Sequence, residues 1–146
     1  MGVPSRAARL AHAGKYCELW NAGRKDDWVA SWRTLVQGEV TMHDPVGTKP
    51  KHGFDTCMLE AFDAFQPVTE LHLVTVKVNG PEMAWVIDNH FRSGDRVIES
   101  LSIETFRWDE AGDLVIKTYY DMPESVGSDD DPYELLLGKD SSGPDS

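Results

Sequence analysis

Tyr16, Asp44 and Glu104 are among the side chains of this sequence whose types could together move a proton. A carboxylate can accept a proton and return it, and donors aimed at an oxygen stabilise the charge that the oxygen gains. The three residues stand far apart along the chain, so they could meet only inside a pocket. An apolar pocket would raise the pKa values of the carboxyl groups, because burial disfavours their charged forms.

Three segments in the first half of the chain have the spacing of amphipathic helices. Apolar side chains, Tyr16 among them, recur at intervals of three and four in the first segment, and Gly23 follows its end. Capping residues open the other two segments. The segments are residues 5–22, residues from Asp26 or Asp27 to Gly38, and residues from Asp55 or Thr56 to Pro67.

The rest of the chain alternates as β-strands do. Residues 39–44 alternate with period two and stop at Pro45, which puts Asp44 at the end of a strand. Residues 44–53 hold two prolines and two glycines and are predicted to be a loop. Hairpin-length turns separate the remaining strands, predicted at roughly 69–79, 83–92, 96–108 and 113–121. Helices followed by an antiparallel meander favour an α+β fold, with three N-terminal helices packed in a curved, mainly antiparallel sheet.

Glu104 lies in a strand, predicted at 96–108, that is otherwise mostly uncharged. Burying a carboxylate on a strand face that helices cover is costly unless the group is neutral or hydrogen-bonded. The alternative is a salt bridge to Arg92 or Arg107 at a sheet edge. Strand periodicity puts Glu104 on the same face as Ile98, Ser100, Ser102 and Phe106.

The other two candidates also have structural interpretations. Asp44 could simply form a turn before Pro45, and Tyr16 could simply pack in the core. Asp88 and His90, in the neighbouring strand, are rivals for a pocket carboxylate and acid, but solvent-facing positions would explain them equally well.

Size and charge fit one small domain. The chain has 146 residues, of which 1–121 are predicted to form the domain and 122–146 an acidic, largely flexible tail. The net charge is -11, and most of the excess acidity belongs to the tail.

No stripe of basic residues could follow a phosphate backbone, so nucleic acid and membrane surfaces are not expected partners. The sequence contains no long apolar run and no signal-peptide core, which predicts a cytoplasmic protein.

Cysteine and histidine spacing indicates no metal centre. Cys17 and Cys57 stand 40 residues apart, as expected of two buried thiols rather than a redox pair. The five histidines are scattered without a ligand spacing, and the glycine-rich nucleotide motifs and the serine-hydrolase motif are absent. We therefore expect neither a metal nor a cofactor.

Three segments resemble the ketosteroid isomerases of the nuclear transport factor 2-like (SnoaL-like) superfamily. The resemblance spans about residues 8–121 and implies a cone-shaped, cystatin-like roll around an apolar pocket. Residues 16–23 look like the first-helix segment of that family, and residues 103–107 are similar to its Ile-Asp-His-Phe-Arg segment. The family motif Asp-Pro-Val-Gly-x-x-Pro-x-x-Gly is matched at Asp44, Pro45, Val46, Gly47, Pro50 and Gly53.

The resemblance implies a cofactor-independent steroid delta-isomerase that shifts a double bond by proton transfer. Asp44 would be the base, and Tyr16 and Glu104 would donate hydrogen bonds to the dienolate oxygen. Glu104 stands where the family has an aspartate, so its side chain is one methylene longer. The candidate substrate-binding residues are Trp20, Trp32, Met42, Phe62 and Phe106.

Two other functions remain open. Asp44 and Glu104 could open an epoxide, as in related hydrolases and polyether cyclases, or the pocket could belong to a non-catalytic module that binds small hydrophobic ligands or proteins. The expected substrate is a small hydrophobic molecule: a steroid, another enone or an epoxide. The superfamily resemblance also implies a homodimer formed through the outer sheet face, where we expect exposed aromatic residues in strands 83–92 and 113–121.

Overall fold

The structure is a computed structural model that describes residues 2–121. The tail predicted at residues 122–146 lies outside the described residues. Within the described part, helices come first and most of the strands follow, so the α+β fold predicted from the sequence is confirmed. No helix among residues 2–121 is both long and apolar enough to cross a membrane.

The first two helices follow the predicted pattern, but the second is shorter than expected. Helix α1 covers Arg6–Asn21, and the side chain of Ser5 caps its first turn. Helix α2 covers Lys25–Arg33 and stops well before Gly38. It stops because the chain then turns to the sheet, where the N–H of Gly38 donates to the carbonyl of Gly112 at 3.1 Å.

The third helical segment changes pitch twice. It begins as a π-helix at Asp55–Glu60, continues as α3 at Ala61–Phe65 and ends as a 3-10 turn at Gln66–Val68. Wide π-helical turns are rare, and those that do occur are often found at functional sites. Here the wide turn carries Cys57 and Met58, both almost fully buried, into the interior.

Six strands form one curved sheet: β1 (Val40–His43), β2 (Lys51–His52), β3 (Thr69–Asn79), β4 (Glu82–Ser93), β5 (Arg96–Trp108) and β6 (Leu114–Tyr119). Their order across the sheet is β2-β1-β6-β5-β4-β3. The last four strands form the predicted antiparallel meander. The sequence did not predict that β1 pairs in parallel with β6, nor that β2 forms inside the loop expected at 44–53.

The inner face of the sheet packs against the helices, and the outer face is open. Trp85 and Phe91 point inward from β4 and are each 1% exposed. The expectation that strand 83–92 exposes aromatic residues is therefore wrong, because strand alternation turns both rings towards the core. The large apolar side chains that the outer face exposes include Val97, Leu101, Ile103 and Tyr119.

Candidate active site

A cavity of about 80 Å³ lies between the helices and the inner face of the sheet. Tyr16 reaches it from α1, Asp44 from the end of β1, and Glu104 from β5. The structure thus brings together the three side chains that the sequence singles out, and most of the remaining wall is apolar or aromatic.

Asp44 is positioned by the pairing of β1 with β6. Val40 and Met42 lie on the same face of the strand as Asp44, and both are buried, so alternation directs Asp44 inward. Beyond the strand, the N–H of Val46 donates to the carbonyl of Thr118 at 2.8 Å and holds the loop against β6. The carboxyl group consequently lines the cavity rather than serving only as a turn residue.

Glu104 accepts hydrogen bonds from both neighbouring strands. Trp85 Nε1 donates to Oε1 at 3.0 Å, and Thr118 Oγ1 donates to Oε2 at 2.5 Å. Each donor is the register partner of Glu104 on its own strand. Among the described residues, neither arginine considered as an alternative forms a salt bridge with Glu104. Arg92 instead donates to the carbonyl of Pro67 at 2.7 Å, and Arg107 alternates to the other face of β5.

The environment of Glu104 raises its pKa from 4.5 to about 7. Burial is the largest cause, and the charge of Asp44 adds to it, while the hydrogen bonds from Thr118 and Trp85 act in the opposite direction. A carboxyl group with this pKa carries a proton about half of the time near neutral pH, so it can serve as a general acid.

Tyr16 remains a hydroxyl donor. Its ring packs against Trp85 and Trp28, with centroid separations of 4.6 and 5.5 Å. Burial first, and then the charge of Glu104, raise the pKa of Tyr16 well above its ordinary value of 10.0. The phenol therefore stays protonated at neutral pH.

The cavity wall contains three of the five predicted substrate-binding residues. Trp20, Trp32 and Met42 line the cavity. Phe62 and Phe106 are not among the lining residues, because the tryptophans of the core cover their rings. Phe62 lies 4.9 Å from Trp20 between ring centroids, and Phe106 lies 5.6 Å from Trp32 and 4.6 Å from Trp85.

Sequence analysis missed several polar residues of the site. Trp85 and Thr118 are the donors to Glu104, and Asn89 and Ser102 line the cavity on adjacent strands. Their inward positions follow from strand alternation, but their contacts depend on strand register. Cys57 also lines the cavity, and Cys17 and Cys57 are both free thiols, as the sequence predicts.

The rival pair Asp88 and His90 lies on the outer face, away from the cavity. His90 Nε2 lies 3.1 Å from Asp88 Oδ2. Within residues 2–121, His90 also belongs to two groups of potential metal ligands whose atoms lie within 4.8 Å of one another. Spacing along the chain could not reveal these groups, because they form across strands. They are Glu70, His72 and His90, and Asp88, His90 and Glu99.

The sequence matches no family model and no curated protein. Solved structures do match. SalBIII, an epoxide hydrolase/cyclase-like enzyme with a role in pyran ring formation in the polyether salinomycin, has a TM-score of 0.62 and 16% identity. The match covers 78% of this chain and 91% of SalBIII.

Two further structures have the same architecture. A protein from Jannaschia sp. CCS1 described as a SnoaL-like polyketide cyclase has a TM-score of 0.58 and 14% identity, over 81% of this chain and 90% of that chain. RV0760c from Mycobacterium tuberculosis has a TM-score of 0.60 and 17% identity, over 82% of this chain and 95% of that chain. The described part of the chain therefore shares its fold with these three solved structures, and a roll of this kind is what the sequence resemblance implies.

Proposed function

We propose that this protein is a cofactor-independent enzyme that opens an epoxide ring, with Glu104 as the acid and Asp44 as the base. One observation carries the proposal: two carboxyl groups line one small cavity, and burial raises the pKa of Glu104 to about 7. An acid and a base whose environments differ can act on opposite sides of one substrate.

The proposed reaction balances without a further reactant. Asp44 removes the proton of a water molecule or of a substrate hydroxyl, whose oxygen attacks an epoxide carbon. The carbon–oxygen bond of the epoxide breaks as the Glu104 proton passes to the leaving oxygen. The product is a vicinal diol or a cyclic ether, and solvent returns the proton from Asp44 to Glu104. The hydrogen bonds from Trp85 and Thr118 stabilise the Glu104 carboxylate that forms.

One fold relative supports epoxide chemistry, since SalBIII is an epoxide hydrolase/cyclase-like enzyme. The Jannaschia protein is described as a polyketide cyclase, which supports ring formation in general. The size of the cavity also favours a slender substrate. Its volume of about 80 Å³ is smaller than the roughly 150 Å³ of an apolar cavity that holds benzene.

A second candidate is the double-bond isomerisation that the sequence resemblance implies. The observation that favours it is the position of Tyr16, whose phenol lines the same cavity as Asp44 and stays protonated. Asp44 would move the proton between carbons while Tyr16 and Glu104 stabilise the enolate oxygen. A four-ring steroid would have to extend out of the cavity, since most of it would not fit inside.

Two assays distinguish these functions. Product analysis with small aliphatic epoxides measures ring opening, and conjugated-enone absorbance from a Δ5-3-ketosteroid measures isomerisation. Asp44→Asn and Glu104→Gln should each abolish ring opening, while Asp88→Asn on the outer face is the matched carboxyl-to-amide control and should retain it. Isomerisation without ring opening would favour the second candidate. The absence of both reactions would favour a binding module.

We also propose that the chain forms a homodimer through the outer sheet face. Leu101 and Ile103 on β5 are 62% and 52% exposed, and Tyr119 beside Ile103 on β6 is 43% exposed. Contiguous exposed apolar side chains commonly mark protein interfaces. A second copy of the chain would bury them.

A further inference from the structure

The cavity contains a second polar patch that the proposed reaction does not use. Asn89 on β4 and Ser102 on β5 both line the cavity, and each is only 4% exposed. Strand β5 therefore directs two polar side chains inward at successive positions of one face, Ser102 and Glu104. Buried polar groups in folded proteins nearly always have hydrogen-bond partners, so any hydrogen-bonding capacity that Asn89 and Ser102 leave unused is available to a ligand.

The amide of Asn89 has a fixed orientation. Its Nδ2 lies 2.8 Å from the carbonyl oxygen of Ser100, 2.9 Å from Ser102 Oγ and 3.2 Å from the carbonyl oxygen of Ile87. Two of these three partners are carbonyl oxygens, which can only accept, so the nitrogen must face them. The carbonyl Oδ1 of Asn89 points the other way, and it accepts no hydrogen bond from the residues that the structure describes.

Ser102 complements this acceptor with a donor. Its oxygen receives a hydrogen bond from Asn89, which leaves the hydroxyl hydrogen available to another group. Thr69 also lines the cavity, and its hydroxyl is buried without a hydrogen-bond partner in the described part of the chain. The patch thus offers an acceptor, a donor and an adaptable hydroxyl on three adjacent strands.

We propose that Asn89 and Ser102 bind a hydroxyl group of the substrate, so that the enzyme selects hydroxylated molecules. A hydroxyl can donate to Asn89 Oδ1 and accept from Ser102 at the same time, which an ether or a ketone cannot do. Ser102 and Glu104 are two residues apart on one strand, so their backbones are about 7 Å apart. The bound hydroxyl therefore lies about that far from the oxygen that Glu104 protonates. This distance rests on the proposed function, whereas the hydroxyl site itself does not.

Binding measured without turnover tests this inference. The Glu104→Gln variant keeps the cavity but lacks the acid, and Trp20 and Trp32 in the wall report ligand binding by fluorescence. The probes are 5,6-epoxyhexan-1-ol and 1,2-epoxyhexane, which differ only in the terminal hydroxyl. We expect the hydroxylated probe to bind about tenfold more tightly, as one well-made hydrogen-bond site allows.

Three further substitutions in the same background assign the preference to the patch. Ser102→Ala and Asn89→Leu should abolish it, with folding checked by circular dichroism. Ser100→Ala should retain it, because Ser100 contributes only its backbone carbonyl. Equal binding of the two probes, or a preference that survives both Ser102→Ala and Asn89→Leu, would overturn the inference. A preference without any epoxide turnover by the unmodified protein would contradict the proposed reaction alone.

Discussion

Trp85 and Glu104 occupy the same register position on neighbouring antiparallel strands, and the indole N–H donates to the carboxyl group at 3.0 Å. The hydrogen bond stabilises the charged form of Glu104, whereas burial and the charge of Asp44 destabilise it. Burial prevails, and the pKa of Glu104 rises to about 7. The indole thus keeps the pKa within the range in which the carboxyl group can both hold and release a proton.

The proposed ring opening should therefore slow as the pH rises through about 7, because Glu104 would lose the proton that it is proposed to donate. We expect kcat/KM to decrease about tenfold per pH unit above that point. Trp85→Phe removes one donor to the carboxylate, so its profile should fall at a higher pH than that of the unmodified protein. The measurement is kcat/KM for an epoxide across neutral pH. A flat profile, or a shift of the Trp85→Phe profile to lower pH, would exclude Glu104 as the acid.

The raised pKa of Glu104 also predicts a pH-dependent effect of Glu104→Gln on the free energy of unfolding. The pKa of Glu104 is 4.5 ordinarily and about 7 in the folded protein. The stability that protonated Glu104 contributes to the folded state is therefore fully present below pH 4.5, and it is lost as the pH rises to about 7. The loss amounts to at most about 3 kcal/mol. A glutamine amide can still accept from Trp85 and donate to Thr118, and it does not ionise.

Urea unfolding measures this difference. Relative to the unmodified protein, Glu104→Gln should gain stability steadily between pH 4.5 and about 7, and the gain should stay constant above that range. Asp88→Asn is the control on the outer face. The prediction fails if the stability difference between Glu104→Gln and the unmodified protein does not change with pH.

Periodicity was sufficient to predict most of the fold, because each helix and each long strand has its own local pattern. It also placed Glu104 on the same strand face as Ser102 and Phe106, while the position of Glu104 in a pocket was implied only by the family resemblance. What periodicity could not predict was pairing between distant segments. The parallel contact of β1 with β6 joins Met42 to Ile116, and no turn links those residues. The local alternation of apolar and polar residues carries no information about such contacts.

Part of the site could still have been found from the hairpin between β4 and β5. Ser93 pairs with Arg96 beside the turn, and counting eight residues away from the turn along each strand reaches Trp85 and Glu104. An uninterrupted hairpin register thus identifies the indole donor. The same counting fails for β3, where a bulge between Leu73 and Thr75 shifts the register.

The proposed homodimer predicts the effect of a charge on the outer face. Leu101 is 62% exposed at the centre of β5. Leu101→Glu should dissociate the dimer, because burying an unpaired carboxylate in an interface costs several kcal/mol of desolvation free energy. Val46→Glu is the control, since Val46 is 45% exposed in the loop after β1. Light scattering should give twice the 16.3 kDa chain mass for the unmodified protein and for the control. A monomeric unmodified protein would refute the proposal.

His12 should make the fold sensitive to acid. Its ring is 2% exposed, lies 4.1 Å from the ring of Trp32 between centroids, and its Nδ1 is 2.7 Å from Ser31 Oγ. Burial, followed by the charge of Lys15, lowers the pKa of His12 from 6.5 to about 3. The folded protein therefore requires neutral His12. The corresponding stability is present above pH 6.5 and is lost as the pH falls towards 3, by at most about 5 kcal/mol.

Substituting His12 with glutamine tests this account, because glutamine keeps a polar group near Ser31 and does not titrate. His12→Gln should be less stable than the unmodified protein at neutral pH, since ring packing against Trp32 is lost. Its stability should nevertheless fall less steeply on acidification. His52→Gln, at an exposed position on β2, is the control and should follow the unmodified protein. Urea unfolding curves of all three proteins between about pH 7 and about pH 4 give the slope of the free energy of unfolding against pH. Equal slopes for His12→Gln and the unmodified protein would show that His12 does not govern acid unfolding.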